Sequence, residues 1–443
     1  MSVKIGLVSL GCPKNLVDSE IMLGILKKDG FAITNREKEA DVLIINTCSF
    51  INDAKEESIK TILELARLKK EGSCKAILVC GCLAQRYPRE LTDEMPEIDG
   101  LLGTGAIREI AGAVKNILAG KKVSMVGSPG FLHDAGLPRL TSTPSYTAFL
   151  KIAEGCDNCC SYCVIPRIRG PFRSRPVDDI ASEAASLAAG GVKELVLVAQ
   201  DTTRYGVDLY GKPSLVGLLK HLAALDGPAW LRLLYTYPDL LTDELINLMI
   251  SERKVCRYLD LPLQHASNDV LARMNRRGNR EEIIRLVEKL RTALPGITLR
   301  TSFITGFPGE TEADFLDLLD FIREVKFDRV GIFTYSQEEH TAAASMPDQI
   351  PEEVKSERRD RAMAIQQEVS LERNMKKIGS VISVLIEGFH SMDPLKYFGR
   401  SEGDAPDIDG KVYIMSGVKL SPGDIVQVLV VNASEYDLTG ELI

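Results

Sequence analysis

Near-continuous apolar runs alternate with amphipathic stretches over the first quarter of the chain. Val3–Leu10 (VKIGLVSL), Asp41–Cys48 (DVLIINTC) and Ala76–Cys82 (AILVCGC) read as strands, and residues 18–28, 53–69 and 108–118 as helices. Strands apolar on both faces and separated by helices predict a doubly wound α/β domain over residues 1–123. Residues 124–145 shift to Pro, Gly, Ser and Thr, with prolines at 129, 138 and 144, and predict an exposed linker. From Tyr146 six further runs (TAFLKIAE, ELVLVAQD, LRLLYTYP, RYLDLPLQH, ITLRTSFITG and RVGIFTYS) alternate with helical patterns. They predict a partial (β/α)6 TIM-like barrel, which with a long charged helix from Pro351 to Lys377 occupies residues 146–375. SVISVLIEG, KVYIM and DIVQVLVVN, broken by Gly, Pro and Asp, predict a small β-barrel over residues 376–443.

Composition adds compartment and partner. At 443 residues, 45% apolar and 26% charged, the chain exceeds one hydrophobic core and describes an ordinary soluble protein. Its first residues carry no basic region with a cleavage site, and no apolar run approaches a membrane span, so a cytoplasmic, non-membrane protein is expected. Ten cysteines in a reducing compartment must be ligands, reactive thiols or small core residues rather than a disulfide framework. The net charge of -8, with ten acidic against six basic residues after residue 375, disfavours a nucleic-acid backbone as partner.

Spacing sorts the thiols. Cys156, Cys160 and Cys163 share one loop after the first barrel strand, at the mouth where barrel active sites lie. Three thiolates leave one iron of a 4Fe-4S cube open, whereas a structural zinc site needs a fourth ligand, which Cys159 or a distant histidine would have to supply. Cys12, Cys48 and Cys82 each follow a predicted strand, and the carboxyl edge of a parallel sheet is where loops distant in sequence converge. They read either as a second ligand set or as three buried thiols. Cys74, Cys80 and Cys256 fall before or within strands and read as packed thiols.

The CxxxCxxC spacing, with Tyr162 before the last cysteine, resembles the radical S-adenosylmethionine (SAM) superfamily. The whole arrangement resembles the methylthiotransferase family with a terminal TRAM domain. Ser9–Glu20 (SLGCPKNLVDSE), Gln200–Gly206 (QDTTRYG) and Leu261–Ser267 (LPLQHAS) resemble the branch that modifies small-subunit ribosomal protein S12. The resemblance implies methylthiolation of the β-carbon of an aspartate, with two 4Fe-4S clusters, on Cys12, Cys48 and Cys82 and on Cys156, Cys160 and Cys163. One SAM would give the methyl group and a second the radical. It also implies a SAM pocket drawing on Gln200, Gln264 and Gly306, and a reducing donor such as a flavodoxin or ferredoxin. The substrate would be S12, free or in the small subunit. Read from the residues alone, Gly306–Glu310 is equally a simple turn, and Gln200-Asp201 and Gln264-His265, at strand ends facing the mouth, read either as SAM or substrate contacts or as polar groups satisfied by water. No catalytic side chain is assigned, and the orientation of Arg300 is open. The alternatives are methylthiolation of isopentenyl-adenosine in tRNA, and an iron-sulfur electron carrier with no substrate chemistry.

Overall fold

The N-terminal unit of the computed structural model, which describes residues 2–390 and 393–443, is a six-stranded parallel sheet ordered β2-β1-β3-β4-β5-β6. Its strands are β1 (Lys4–Ser9), β2 (Ala32–Thr34), β3 (Val42–Thr47), β4 (Ala76–Gly81), β5 (Gly100–Leu102) and β6 (Val123–Met125). Every residue of β3 and β4 is buried, because both faces are covered. Leu43, Ile45, Ile77 and Val79 pack with Ile62 and Leu65 on one side. Ile44 and Leu78 pack on the other with α1 (Pro13–Lys28) and the helix Ile110–Leu118. β2, β5 and β6 are three residues long, too short for a readable alternation. Strand β6 also carries the sheet through Ser124 and Met125, past the expected start of the linker. Helix α1 begins at Pro13 rather than near Asp18, because it buries Asn15, Asp18, Ser19 and Glu20 beside Val17 and Ile21, which dilutes its apolar period.

The expected exposed linker is a pinned strap. Arg139 donates to Glu20 (2.6 and 2.8 Å), to Glu183 (2.6 Å) and to the Phe149 carbonyl (2.8 Å), while Ser142 donates to Glu20 through its amide and hydroxyl. The strap's own Phe131 and His133 are buried. Two buried carboxylates need donors, and the proline-rich segment supplies them. A Cβ on Gly24 of α1 would lie 2.2 Å from the Pro138 carbonyl oxygen, so glycine is what admits the strap.

All six expected barrel strands form: β7 (Thr147–Lys151), β10 (Glu194–Val198), β11 (Trp230–Leu233), β12 (Tyr258–Gln264), β13 (Thr298–Thr305) and β14 (Arg329–Thr334). A two-residue hairpin, β8 (Ala153–Glu154) and β9 (Arg173–Ser174), flanks the cysteine loop. The strands run parallel in two halves, β11-β10-β7 and β12-β13-β14, which meet at one isolated bridge between Leu231 and Val255. The N-terminal unit covers the open barrel, since Phe149, Val196, Val198, Trp230 and Tyr258 share a single apolar core with Ile5, Val17 and Ile21.

The helix Glu352–Met375 leads to a closed barrel ordered β15-β16-β17-β19-β18, comprising β15 (Val381–His390), β16 (Asp393–Ser401), β17 (Val412–Met415), β18 (Ile425–Ala433) and β19 (Leu438–Leu442). Strands β16 and β19 escape the sequence reading, which finds the other three. The segment Arg400–Asp409 is built into the floor of the central barrel. Arg400 pairs with Glu194 (2.7 Å), Arg232 donates to the Glu402 carbonyl (2.7 Å), Arg329 pairs with Asp404 (2.9 Å), and the Tyr258 hydroxyl donates to Asp409 (2.7 Å). Arg300 thereby finds its place: it pairs with Asp260 (2.8 Å) and faces Asp409 (3.5 Å).

Candidate active site

Strands β1, β3 and β4 are adjacent and parallel, so the three residues that follow their carboxyl ends, Cys12, Cys48 and Cys82, emerge side by side. Gly11 (φ +84°) makes the approach possible, because a Cβ there would sit 2.7 Å from Cys48 Cβ. Gly81 (φ +89°) turns the chain into Cys82 where a Cβ would meet Asn46 Oδ1 at 2.2 Å. The three thiols interact electrostatically with one another. Asn15 and Asn46 brace the turn, Asn15 donating to the Leu10 carbonyl (2.7 Å) and Asn46 to the Asn15 carbonyl (2.9 Å).

The second set sits on the loop after β8. Gly155 (φ +81°) presses on the chain at Pro171, with a Cβ clash of 2.0 Å, and the Cys156 amide donates to the Gly170 carbonyl (3.1 Å). Asn158 donates to Asp201 (2.8 Å), Ser161 Oγ to the Arg273 carbonyl (2.8 Å), and Asn275 to the Cys159 carbonyl (2.9 Å). Cys156, Cys160 and Cys163 interact electrostatically with one another, whereas Cys159 is exposed. Tyr237 Oη lies 3.0 Å from Cys160 Sγ, and Arg276 stacks on the Tyr237 ring at 3.9 Å. Cys82 packs with Val164, the neighbour of Cys163, and with Ile168, so the carboxyl edge of the N-terminal sheet meets the segment that follows the second cysteine set.

A buried charge network joins α1 to the barrel beside Cys82. Asp18 of α1 accepts from Lys151 and from Arg169 (2.5 Å), Glu154 accepts from Lys151 (2.8 Å), and Arg169 also reaches Asn15 (2.9 Å) and Cys82 Sγ (3.5 Å). Gln200 donates to Glu154 (2.7 Å) and leaves its own buried Oε1 without a partner. Burial pushes the Cys48 thiol up to about 12 and Cys156 to about 11, and raises Cys163 further. Such thiols stay protonated at neutral pH until an electrophilic metal centre displaces the proton.

Gln264 stands at a bulge of β12 with φ +76°, its side chain 3.5 Å from the Pro262 carbonyl. Gly306 (φ +73°) donates its amide to Glu310 (2.7 Å), and a Cβ there would meet Lys355 Cγ at 2.2 Å, so helix packing already demands a glycine. His265 is fully buried, accepts from the Ser267 amide (3.0 Å) and lies 3.5 Å from Glu310, a structural placement. Cys74, Cys80 and Cys256 are buried. Lys14, Asp18, Glu154 and Arg169 escape the sequence reading because a buried charge and a surface charge look alike in one sequence, and Tyr237 and Arg276 because their neighbours are distant in the sequence.

The donor sets suit iron-sulfur clusters: soft thiols in threes, cationic Arg169 and Arg276 beside them, and the Ile165 amide donating to Cys163 Sγ (3.4 Å). Among the described residues no three Cys, His, Asp or Glu side chains converge as a single ion requires. A four-iron cube takes each thiolate on a different iron, which is a wider arrangement.

The uncharacterized protein family UPF0004 matches residues 4–103, the radical SAM superfamily residues 150–322, and the TRAM domain residues 378–443. A radical SAM methyltransferase, TsrM, from Kitasatospora setae, whose structure holds cobalamin and a 4Fe-4S cluster, shares the fold. Its TM-score is 0.57 at 17% identity, over 77% of this chain and 74% of that one. The ribosomal protein uS12 methylthiotransferase RimO of Geobacter sulfurreducens is 54% identical over 99% of this chain and 98% of its own length. That of Pelotomaculum thermopropionicum is 68% identical over the full length of both. With this identity running from end to end, the chain belongs to the ribosomal protein uS12 methylthiotransferase (RimO) family.

Proposed function

We infer that this chain transfers a methylthio group to the β-carbon of an aspartate in ribosomal protein uS12, as a radical SAM enzyme with two 4Fe-4S clusters and SAM as cofactors. The observation that carries this reading is the end-to-end identity with the RimO proteins, and it is supported by one three-cysteine set at the carboxyl edge of the N-terminal sheet and another on the loop after β8, with Cys82 packed against Val164. An unactivated C–H bond yields neither to a general base nor to an ordinary nucleophile, so bound cofactors supply the one-electron and sulfur-transfer chemistry.

The chain's own residues bind and orient. In this reading Cys156, Cys160 and Cys163 hold the cluster that takes SAM, while Cys12, Cys48 and Cys82 hold the one that takes sulfur. Each set leaves one iron free. The unpartnered Oε1 of Gln200 and the mouth position of Gln264 favour them as SAM contacts, with the Gly306 turn shaping the pocket wall. Asp18 and Glu154 fix Lys151 and Arg169, which set the separation of the two triads. The electron source proposed is a flavodoxin or ferredoxin, and the compartment the reducing cytoplasm, in keeping with ten free thiols. No helix among the described residues is long and apolar enough to cross a membrane.

The test is mass spectrometry of uS12 after anaerobic incubation with the reconstituted enzyme, SAM, sulfide and a reductant. One methylthio group gained on aspartate is expected. No gain, with 5′-deoxyadenosine still formed, would move the substrate to tRNA. Cys160→Ala should abolish SAM cleavage, and Cys48→Ala should retain some cleavage without methylthio transfer.

A further inference from the structure

Lys14 belongs to the N-terminal unit but lies in the barrel mouth. Lys14 is 7% exposed. The ammonium rests on the face of Tyr235, 3.3 Å from the ring centroid, with the Ala199 carbonyl oxygen at 3.5 Å, the long limit of a hydrogen bond. An ammonium has three donors, and a buried one is ordinarily paired. Among the described residues no carboxylate forms an ion pair with Lys14. Its electrostatic neighbours are Tyr235 first, then Cys12, two residues away, and Glu154, which is already engaged by Lys151 and Arg169. The other buried cations here differ: Lys151 and Arg169 both pair with Asp18 and Glu154. The groups around Lys14 remain partly open, since Cys12, Gln200 and Tyr235 are half-buried. Tyr235 is held in a left-handed conformation (φ +59°), and its amide donates to Asp260 (3.0 Å), so the ring beneath the ammonium is fixed.

We propose that Lys14 receives the carboxylate of the substrate aspartate in the mouth between the two cysteine triads. The proposal rests on the uS12 reading above and assigns the recognition of the reacting residue. In an aspartate the reacting β-carbon is bonded directly to the carboxylate carbon. A cation that anchors the carboxylate therefore fixes the direction of the C–H bond one bond away, which positions the reaction as well as selecting the residue. A partly desolvated ammonium with spare donors gains more from a carboxylate than from a neutral amide. Tyr235 supplies the attraction that holds Lys14 in place before substrate arrives.

The experiment is a double-substitution cycle on binding, read without turnover. Labelled uS12, with aspartate or asparagine at the modified position, is titrated by fluorescence anisotropy against the cluster-loaded enzyme with SAM and no reductant. Wild-type enzyme should bind the aspartate form roughly tenfold to a hundredfold more tightly than the asparagine form, the range for a hydrogen bond to a charged group. Lys14→Met should erase that preference while leaving the asparagine form bound as before, with iron content unchanged. Lys14→Arg should restore part of it. Equal binding of the two forms by wild-type enzyme would overturn the proposal even if Lys14→Met failed to load iron. So would an equal loss of both forms in Lys14→Met, which would mark Lys14 as an interface plug. If wild-type enzyme modifies uS12 but the cycle shows no coupling, the proposal alone fails. If it neither binds nor modifies uS12, the functional reading fails and the proposal with it.

Discussion

Asp18→Asn tests whether the buried network between α1 and the barrel holds the two triads in register. Asp18 is 2% exposed and accepts from Lys151 and Arg169, which are themselves 1% and 3% exposed. The amide is isosteric but cannot offset two buried cations, which are left sharing Glu154 (2.8 and 3.3 Å). Breaking a buried pair by neutralising one partner costs about 3–5 kcal/mol, and at this depth solvent screening does not reduce it. The transition in which the N-terminal unit and barrel part should therefore fall by about 6–20 °C, taking roughly 2–4 °C per kcal/mol for units of this size. The assay is calorimetry of the cluster-loaded protein, with limited proteolysis of the strap between residues 126 and 145. Arg169→Met alone should also destabilise, but added to Asp18→Asn it should cost less than the sum of the two, since each removes a charge the other leaves uncompensated. A drop below about 1 °C, or full additivity, would refute the claim that Asp18 and Arg169 act as a unit.

Gly11→Ala should displace Cys48, because the new Cβ would sit 2.7 Å from Cys48 Cβ at a φ of +84°. Iron per chain after reconstitution is expected to fall by about half while SAM cleavage persists, and full iron loading would contradict the packing argument. His133 makes the strap acid-sensitive. It is buried, its Nε2 accepts from Arg175 (2.7 Å), and burial pulls its pKa from 6.5 down to about 4. The unfolded chain then takes up a proton below pH 6.5 that the folded chain refuses until about pH 4, so stability falls across that window by up to roughly 3 kcal/mol. His133→Asn should flatten the decline in urea unfolding midpoints between pH 7 and 4.5, and an unchanged slope would count against it.

The sequence was most legible where chemistry is local or hydrophobic periodicity is long. The strands β1, β3 and β4 and the six barrel strands are each apolar enough to declare themselves, and the cysteines at their ends follow from where the runs stop. Three-residue strands such as β5 carry no period, and β16 and β19 were hidden by glycines and charges that suit a closed barrel but not an isolated strand. The pinning of the strap is not legible in the sequence, because composition records prolines and serines, not the buried Glu20 and Glu183 that bind Arg139.

By itself, then, the sequence determined which thiols are available, that they come in threes, and which strand each follows. The tertiary structure decided that β1, β3 and β4 lie next to one another, which brings Cys12, Cys48 and Cys82 together across 70 positions. It also decided that Arg400–Asp409 closes the barrel floor, and that Lys14 of one unit enters the mouth of another. The physical reason is the same in each case. Apolar periodicity is a property of neighbours along the chain, whereas the partner of a buried charge is chosen by whatever surface the fold presses against it.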